Sequence, residues 1–218
     1  MMHSLLTKTG PGSIPDFRED MRDIVKSLWQ VLKPVAAAIV VVAVLRVTGL
    51  MSSVSYYAQA ALVSTGFRDA SAEAVKSPEL FDYNFVVRDK SGRRRPFTEF
   101  KGKVIFLNLW ATWCGPCRAE MPTIQSLYNE SGSDSVAFVM LSVDDVEAEP
   151  LISRYIEKSK FTFPVYRPSG YLTEQLNVPG IPTTFIISKD GKIVSKEIGA
   201  TNFDTPKFRK FLKKLSKE

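Results

Sequence analysis

The chain has 218 residues, 24% of them charged and 44% hydrophobic, with a net charge of +6. This is a globular composition, which excludes a disordered or collagen-like polymer, and the length allows one domain of ordinary size plus something extra. Two cysteines and a single histidine, His3, are too few for a zinc site of about four ligands, and the basic residues do not form the aromatic-interleaved groove that nucleic-acid binding needs.

The first part of the chain, residues 1–33, is polar and mixed in charge, broken at Gly10-Pro11-Gly12, and Asp16 to Leu32 is expected to form a short amphipathic helix. From Pro34 to Phe67 the only charge is Arg46. Val35 to Leu45 is continuously apolar, and Val47 to Val54 extends it to the ~20 residues that a spanning helix needs. Pro34 is acceptable at a first helical position. A central arginine costs roughly 2.5–3.5 kcal/mol on insertion, and aliphatics returning about 0.3–0.6 kcal/mol each offset it. Alternatively Arg46 snorkels to an interface and Ser52 to Leu62 lies along the surface as an amphipathic helix. Ala58-Gln59-Ala60 resembles a signal cleavage site, but it lies well beyond the apolar core, so an uncleaved anchor is expected. Lys8, Arg18, Arg22, Lys26 and Lys33 precede the span and only Arg68 and Lys76 follow it closely, which orients the N-terminus to the cytoplasm. The expected organisation is a cytoplasmic segment over 1–33, a transmembrane anchor and juxtamembrane helix over 34–67, a linker over 68–80 containing Ser77-Pro78, and a globular domain over 81–218. The expected location is a single-pass position in a bacterial inner membrane with that domain in the periplasm.

Within the domain, Arg93-Arg94-Arg95 after Ser91-Gly92 reads as a hairpin end. The apolar run Val104 to Leu109 reads as a buried strand and Arg118 to Tyr128 as a helix. A further helix is expected over Glu147 to Ser159 and a strand over Phe161 to Tyr166. Strands follow at Thr184 to Ile187 and Ile193 to Ile198, joined by a turn at Asp190-Gly191. The last helix combines Phe208, Phe211, Leu212 and Leu215 at helical spacing with a solvated basic face. Asp144 and Asp145 are adjacent on a strand end and point to opposite faces, which suits a loop or cap better than a metal pair. Trp110 reads as core and Trp113 as an apolar platform for partners beside the site.

The chemistry sits at Trp113-Cys114-Gly115-Pro116-Cys117, between the buried strand and the helix. A bare pair of cysteines two apart also fits half a zinc ribbon, a haem attachment site or a structural bridge. Haem attachment needs a histidine after the second cysteine, and Arg118 stands there. A structural bridge over so few residues would remove little unfolded-state entropy. A thiol in the first turn of a helix meets unpaired N–H groups and the positive end of the dipole. Both favour the thiolate, the attacking species in thiol–disulfide exchange. Cys114 is therefore expected to be the nucleophile and the more exposed of the two, and Cys117 the resolving thiol.

These residues resemble the active site of the thioredoxin superfamily. Pro122, five residues past Cys117, matches its kinking helix proline, and Gly180-Ile181-Pro182-Thr183 is similar to its cis-proline loop. Asn108-Leu109-Trp110-Ala111-Thr112-Trp113, Cys117-Arg118-Ala119-Glu120-Met121-Pro122 and the long segment between Asp145 and Gly180 resemble the TlpA/ResA-like membrane-tethered thiol-disulfide oxidoreductases. The resemblance implies an α/β thioredoxin-like fold, a central mixed sheet flanked by helices, with an inserted helix-strand segment and an N-terminal anchor helix. It implies a cis bond before Pro182 and an Ile181 backbone that pairs with an extended substrate segment. Trp113, Gly115, Pro116, Ile181 and Pro182 would then contact substrate. Gly115-Pro116 between the cysteines goes with reducing members. In the likeness Glu120 passes protons to and from Cys117, against the alternative of a solvent-facing helix glutamate, while the buried acid that thioredoxins carry before the motif is replaced by Asn108. The implied activity is reduction of protein disulfides, with cytochrome c maturation as a typical task, no cofactor, no metal and no nucleic acid. The implied partners are a protein disulfide substrate and a thiol-disulfide electron donor in the membrane. A disulfide oxidase or isomerase on the same fold, or a non-catalytic binding module with a structural disulfide, are the alternatives.

Overall fold

The computed structural model describes residues 17–47, 61, 69–71, 78–131 and 136–218. The chain forms two compact units, residues 1–50 and 51–218. In the first, helix α1 (Phe17–Val47) runs through Pro34 instead of restarting there. The proline removes one backbone bond, to Gln30, and the ring crowds that carbonyl. Ala36, Ala37 and Ala38 on the far side are the strongest helix formers available, and they carry the helix past it. Among the described residues no helix is long and apolar enough to cross a membrane. Lys33 lies at the middle of α1 and Arg46 near its end, so the apolar stretch between these two falls short of the ~20 residues required. Residues 48–60, over which the sequence would extend that stretch, lie outside the described residues, as does nearly all of the expected surface helix.

The second unit is a seven-stranded mixed sheet in the order β2-β1-β5-β4-β3-β6-β7. Its strands are β1 (Val86–Arg88), β2 (Arg94–Pro96), β3 (Val104–Trp110), β4 (Val136–Ser142), β5 (Val165–Pro168), β6 (Thr183–Ile187) and β7 (Ile193–Ile198). β3 sits near the centre, parallel to β4 and antiparallel to β6. All of its residues are buried, and apart from Asn108 all are apolar. Helices α2 (Gly115–Ser131), α3 (Glu149–Ser159) and α4 (Pro206–Leu215) complete the unit.

Because side chains alternate along a strand, β3 feeds two cores. Val104, Phe106 and Trp110 join Met121, Ile124 and Leu127 of α2, Ile152 of α3, and Phe208 and Leu212 of α4. Ile105, Leu107 and Leu109 join Phe85, Phe97 and Phe100 from the hairpin segment and Phe185 and Ile187 of β6. The hairpin expected at Arg93–Arg95 is the β1–β2 pair, turned by Gly92 at a φ of 80°. Two bridges, Asp69 to Asn202 and Leu80 to Lys192, tie parts of the segment read as linker to the domain.

The inserted segment is present, with shifted boundaries. A 3-10 turn at Val146–Ala148 precedes α3, and the strand begins at Val165 instead of Phe161. Phe161 and Phe163 stack on each other at 5.1 Å and turn into the helical core. Pro164 has no N–H for a ladder, so pairing with β4 starts at Val165 against Met140.

Candidate functional site

The dithiol stands where β3 hands over to α2. Cys114 occupies the cap position: its carbonyl accepts the N–H of Arg118 at 3.1 Å, the first bond of the helix. Its sulfur accepts the N–H of Cys117 at 3.1 Å, as a capping side chain does. Cys114 and Cys117 are joined as a disulfide with Cα atoms 5.3 Å apart. Cys114 keeps 5% of its surface and Cys117 none, the order expected of an attacking and a resolving sulfur. Trp113 is 65% exposed beside them, while Trp110 is fully buried.

The loop before the cap is held from β4. The Asp144 carboxylate accepts the Thr112 N–H at 2.9 and 3.1 Å, the Thr112 hydroxyl at 2.6 Å and the Ser142 hydroxyl at 2.7 Å. The expected cap role of Asp144 is thus a clamp on the residue two before Cys114. Its contact with Thr112, across 32 residues of chain, had no local signal.

The other wall is the loop before β6. The Ile181–Pro182 bond is cis, and the Ile181 carbonyl oxygen lies 3.7 Å from Cys114 Sγ. Gly180 is exposed, Ile181 half-buried and Pro182 buried. Gly115 is buried and Pro116 half-buried in the first turn of α2. The structure therefore gathers Trp113, Cys114, Gly115, Pro116, Cys117, Ile181 and Pro182 beyond one end of the interior strands β3 and β6.

Glu120 lies one turn past Cys117 and is fully buried, which sets aside the solvent-facing alternative. Its Oε1 accepts Asn108 Nδ2 at 2.8 Å and its Oε2 accepts the Thr201 N–H at 3.1 Å. Asn108 Nδ2 also donates to Thr184 Oγ1 at 2.8 Å. Thr184 and Thr201 did not emerge from the sequence, because both reach the site from more than seventy residues away. The inserted helix also touches the site. Arg118 lies over the Tyr155 ring at 5.4 Å, and Tyr155 packs on Trp110 at 5.9 Å. A cavity of about 660 Å³ opens between the β1–β2 hairpin and α3, and no residue of the dithiol loop lines it.

A dithiol at a helix start, walled by a cis-proline loop on a mixed sheet, defines a thioredoxin-like disulfide oxidoreductase domain. Residues 84–212 match the Redoxin family, so the chain belongs to it, as a ResA/TlpA-like member of the thioredoxin superfamily. It is similar to a thiol-disulfide oxidoreductase ResA of Bacillus cereus, 38% identical over 53% of this chain and 66% of that protein. It thus spans just under two thirds of that relative. ResA of Bacillus thuringiensis subsp. konkukian is 34% identical over 61% of this chain and 75% of its own. A thiol:disulfide interchange protein of the thioredoxin family from Chlorobium tepidum shares the fold, with a TM-score of 0.50 at 24% identity, covering 66% of this chain and 99% of its own.

Proposed function

We propose that this protein reduces protein disulfides on the outer face of a bacterial inner membrane, to which its N-terminal segment anchors it. The observation that carries the reading is the placement of Cys114. It is the less buried of the two cysteines, and its sulfur accepts the Cys117 N–H and lies 3.7 Å from the Ile181 carbonyl. The lysines and arginines ahead of the apolar stretch and the Gly115-Pro116 pair support the orientation and the direction. The substrate is a protein, docking against the exposed Trp113 and the backbone of Ile181, because the dithiol lies outside the cavity.

In the cycle, the Cys114 thiolate attacks one sulfur of a substrate disulfide. A Cys114–substrate bond forms and the other substrate sulfur leaves as a thiolate. Cys117 then gives its proton to Glu120, and its sulfur attacks Cys114. The Cys114–Cys117 bond forms, the mixed disulfide breaks, and the second substrate sulfur leaves. Two electrons pass from the dithiol to the substrate, and the two substrate thiolates end protonated, one by way of Glu120 and one from solvent. A membrane thiol-disulfide protein returns the two electrons. Maturation of cytochrome c, where haem-attachment cysteines must be reduced, suits such an activity.

The test is the equilibrium reduction potential against glutathione or dithiothreitol couples. A value near the thioredoxin end, about −270 mV, is expected of a reductant. A value near about −120 mV would make the protein an oxidant and overturn the direction.

A further inference from the structure

Asn108 is fully buried, and its amide is used on one side only. Both of its hydrogen bonds leave from Nδ2, to Glu120 Oε1 and Thr184 Oγ1, while Oδ1 is buried with no hydrogen-bond partner. A buried acceptor without a donor is uncommon and unfavourable, so something holds the amide in this orientation. Glu120 supplies the reason. Both of its oxygens accept an N–H, from Asn108 and from Thr201, which is the arrangement an ionised carboxylate needs. An N–H aimed at a carboxyl stabilises the charged form.

A protonated Glu120 makes the opposite demand, an acceptor for its O–H. Asn108 carries one. A half-turn of the amide exchanges Nδ2 for Oδ1 at the same place, and the Thr184 hydroxyl, able to donate or accept, follows either orientation. The Glu120 carboxylate accepts from Asn108 on β3 and Thr201 after β7, Thr184 on β6 holds the same Asn108 amide, and Cys117 lies one turn earlier on α2. Of these only Cys117 titrates, and only once the disulfide is open.

We propose that Asn108 is a positioning residue that governs the proton on Glu120: its amide N–H holds the carboxylate ionised while the dithiol is closed, and its unused Oδ1 receives the acid O–H when Glu120 takes the proton of Cys117. The inference rests on the proton-transfer role given to Glu120 above. No oxidant or reductant enters beyond the substrate disulfide, since the amide moves no electrons and only changes which of its atoms faces the proton.

The experiment is rapid-quench single turnover of a protein disulfide by the pre-reduced full-length chain, reading the rate at which the mixed disulfide is resolved across the acid-to-neutral range. Glu120→Gln is expected to abolish the acid limb of the wild-type pH profile. Asn108→Leu, which removes donor and acceptor together, is expected to move that limb upward by about one pH unit, a tenfold rise in the proton affinity of Glu120. Should Asn108→Leu fail to fold, Asn108→Ala removes the same amide and carries the same readout. A purely structural Asn108 would lower stability and leave the profile where it is. An acid limb abolished by Glu120→Gln but unmoved by the Asn108 variants would overturn the proposal and leave Glu120 its role. A limb unmoved by Glu120→Gln would overturn both.

Discussion

Replacing Asp144 tests whether the dithiol loop is held from β4. Its carboxylate receives three donors, the Thr112 N–H, the Thr112 hydroxyl and the Ser142 hydroxyl, all within 3.1 Å. Asp144 is half-buried, so the ordinary net value of about 1 kcal/mol per hydrogen bond is used in place of the larger figure for charged groups. Asp144→Ala should then destabilise the domain by about 3 kcal/mol. At a urea dependence of about 2 kcal/mol per molar, the unfolding midpoint falls by about 1.5 M. Asp144→Asn keeps the shape but presents an amide N–H2 where one oxygen was, and should fall between the two. Because Thr112 and Asp144 share these bonds, a cycle with Thr112→Val should show coupling of about 0.5 kcal/mol or more. Disulfide reduction should slow in Asp144→Ala, because Trp113 and Cys114 follow directly on the freed residue. A midpoint within about 0.3 M of wild type, by the same slope, or strictly additive single substitutions, would refute the clamp.

Cys114→Ser should abolish reduction of a protein disulfide, and Cys117→Ser should accumulate a mixed disulfide visible by mass; full turnover by the first variant would sink the role given to Cys114. Phe106→Ala removes a ring that packs at 5.0 Å on both Phe138 and Phe203, and a loss of about 3–5 kcal/mol in chemical denaturation is expected. The Asp89 carboxyl is held down at about 2, chiefly by the Ser91 hydroxyl and then by the N–H groups of Ser91 and Arg93. A lowered carboxyl stabilises the fold above its unfolded value and ceases to do so as pH falls toward about 2. The stability difference between wild type and Asp89→Asn should accordingly be present at neutral pH and vanish near the bottom of that range.

What could be read along the chain was whatever a single element determines for itself. β3 is buried on both faces, so its apolar run was unambiguous, and β7 paired over the residues its pattern marked. The strand of the inserted segment was misplaced because Phe161 and Phe163 have strand composition but serve as a stacked plug in the helical core. The expected restart of a helix at Pro34 followed a local rule that the alanines beyond it overrode. The cysteine pair and the Ile181-Pro182 loop were legible because the resemblance supplied their meeting. The resemblance marked Asn108 as well, but not Thr184 or Thr201, which come from distant parts of the chain, and a threonine in a strand or loop carries no mark of the carboxylate it will face.

The site's economy lies in how little must move for Cys114 to act. In the closed form the Cys117 N–H already points at Cys114 Sγ. When the bond opens, the sulfur left as thiolate finds that donor in place, and the bond becomes charge-assisted and stronger. The positive end of α2 adds to it without rearrangement. Three independent elements keep this geometry: the Cys114 carbonyl starts α2, Asp144 after β4 grips Thr112, and the loop before β6 sets the Ile181 carbonyl against the sulfur. Attack by Cys114 is thereby governed by a rigid cap at the surface, whereas release through Cys117 depends on buried groups that exchange a proton. The two halves of the reaction answer to different residues, so substitutions at Asp144 should slow formation of the mixed disulfide, and substitutions at Asn108 or Glu120 its resolution. Rapid-quench trapping of that intermediate separates the two, and a change in the same step for both sets would refute the division.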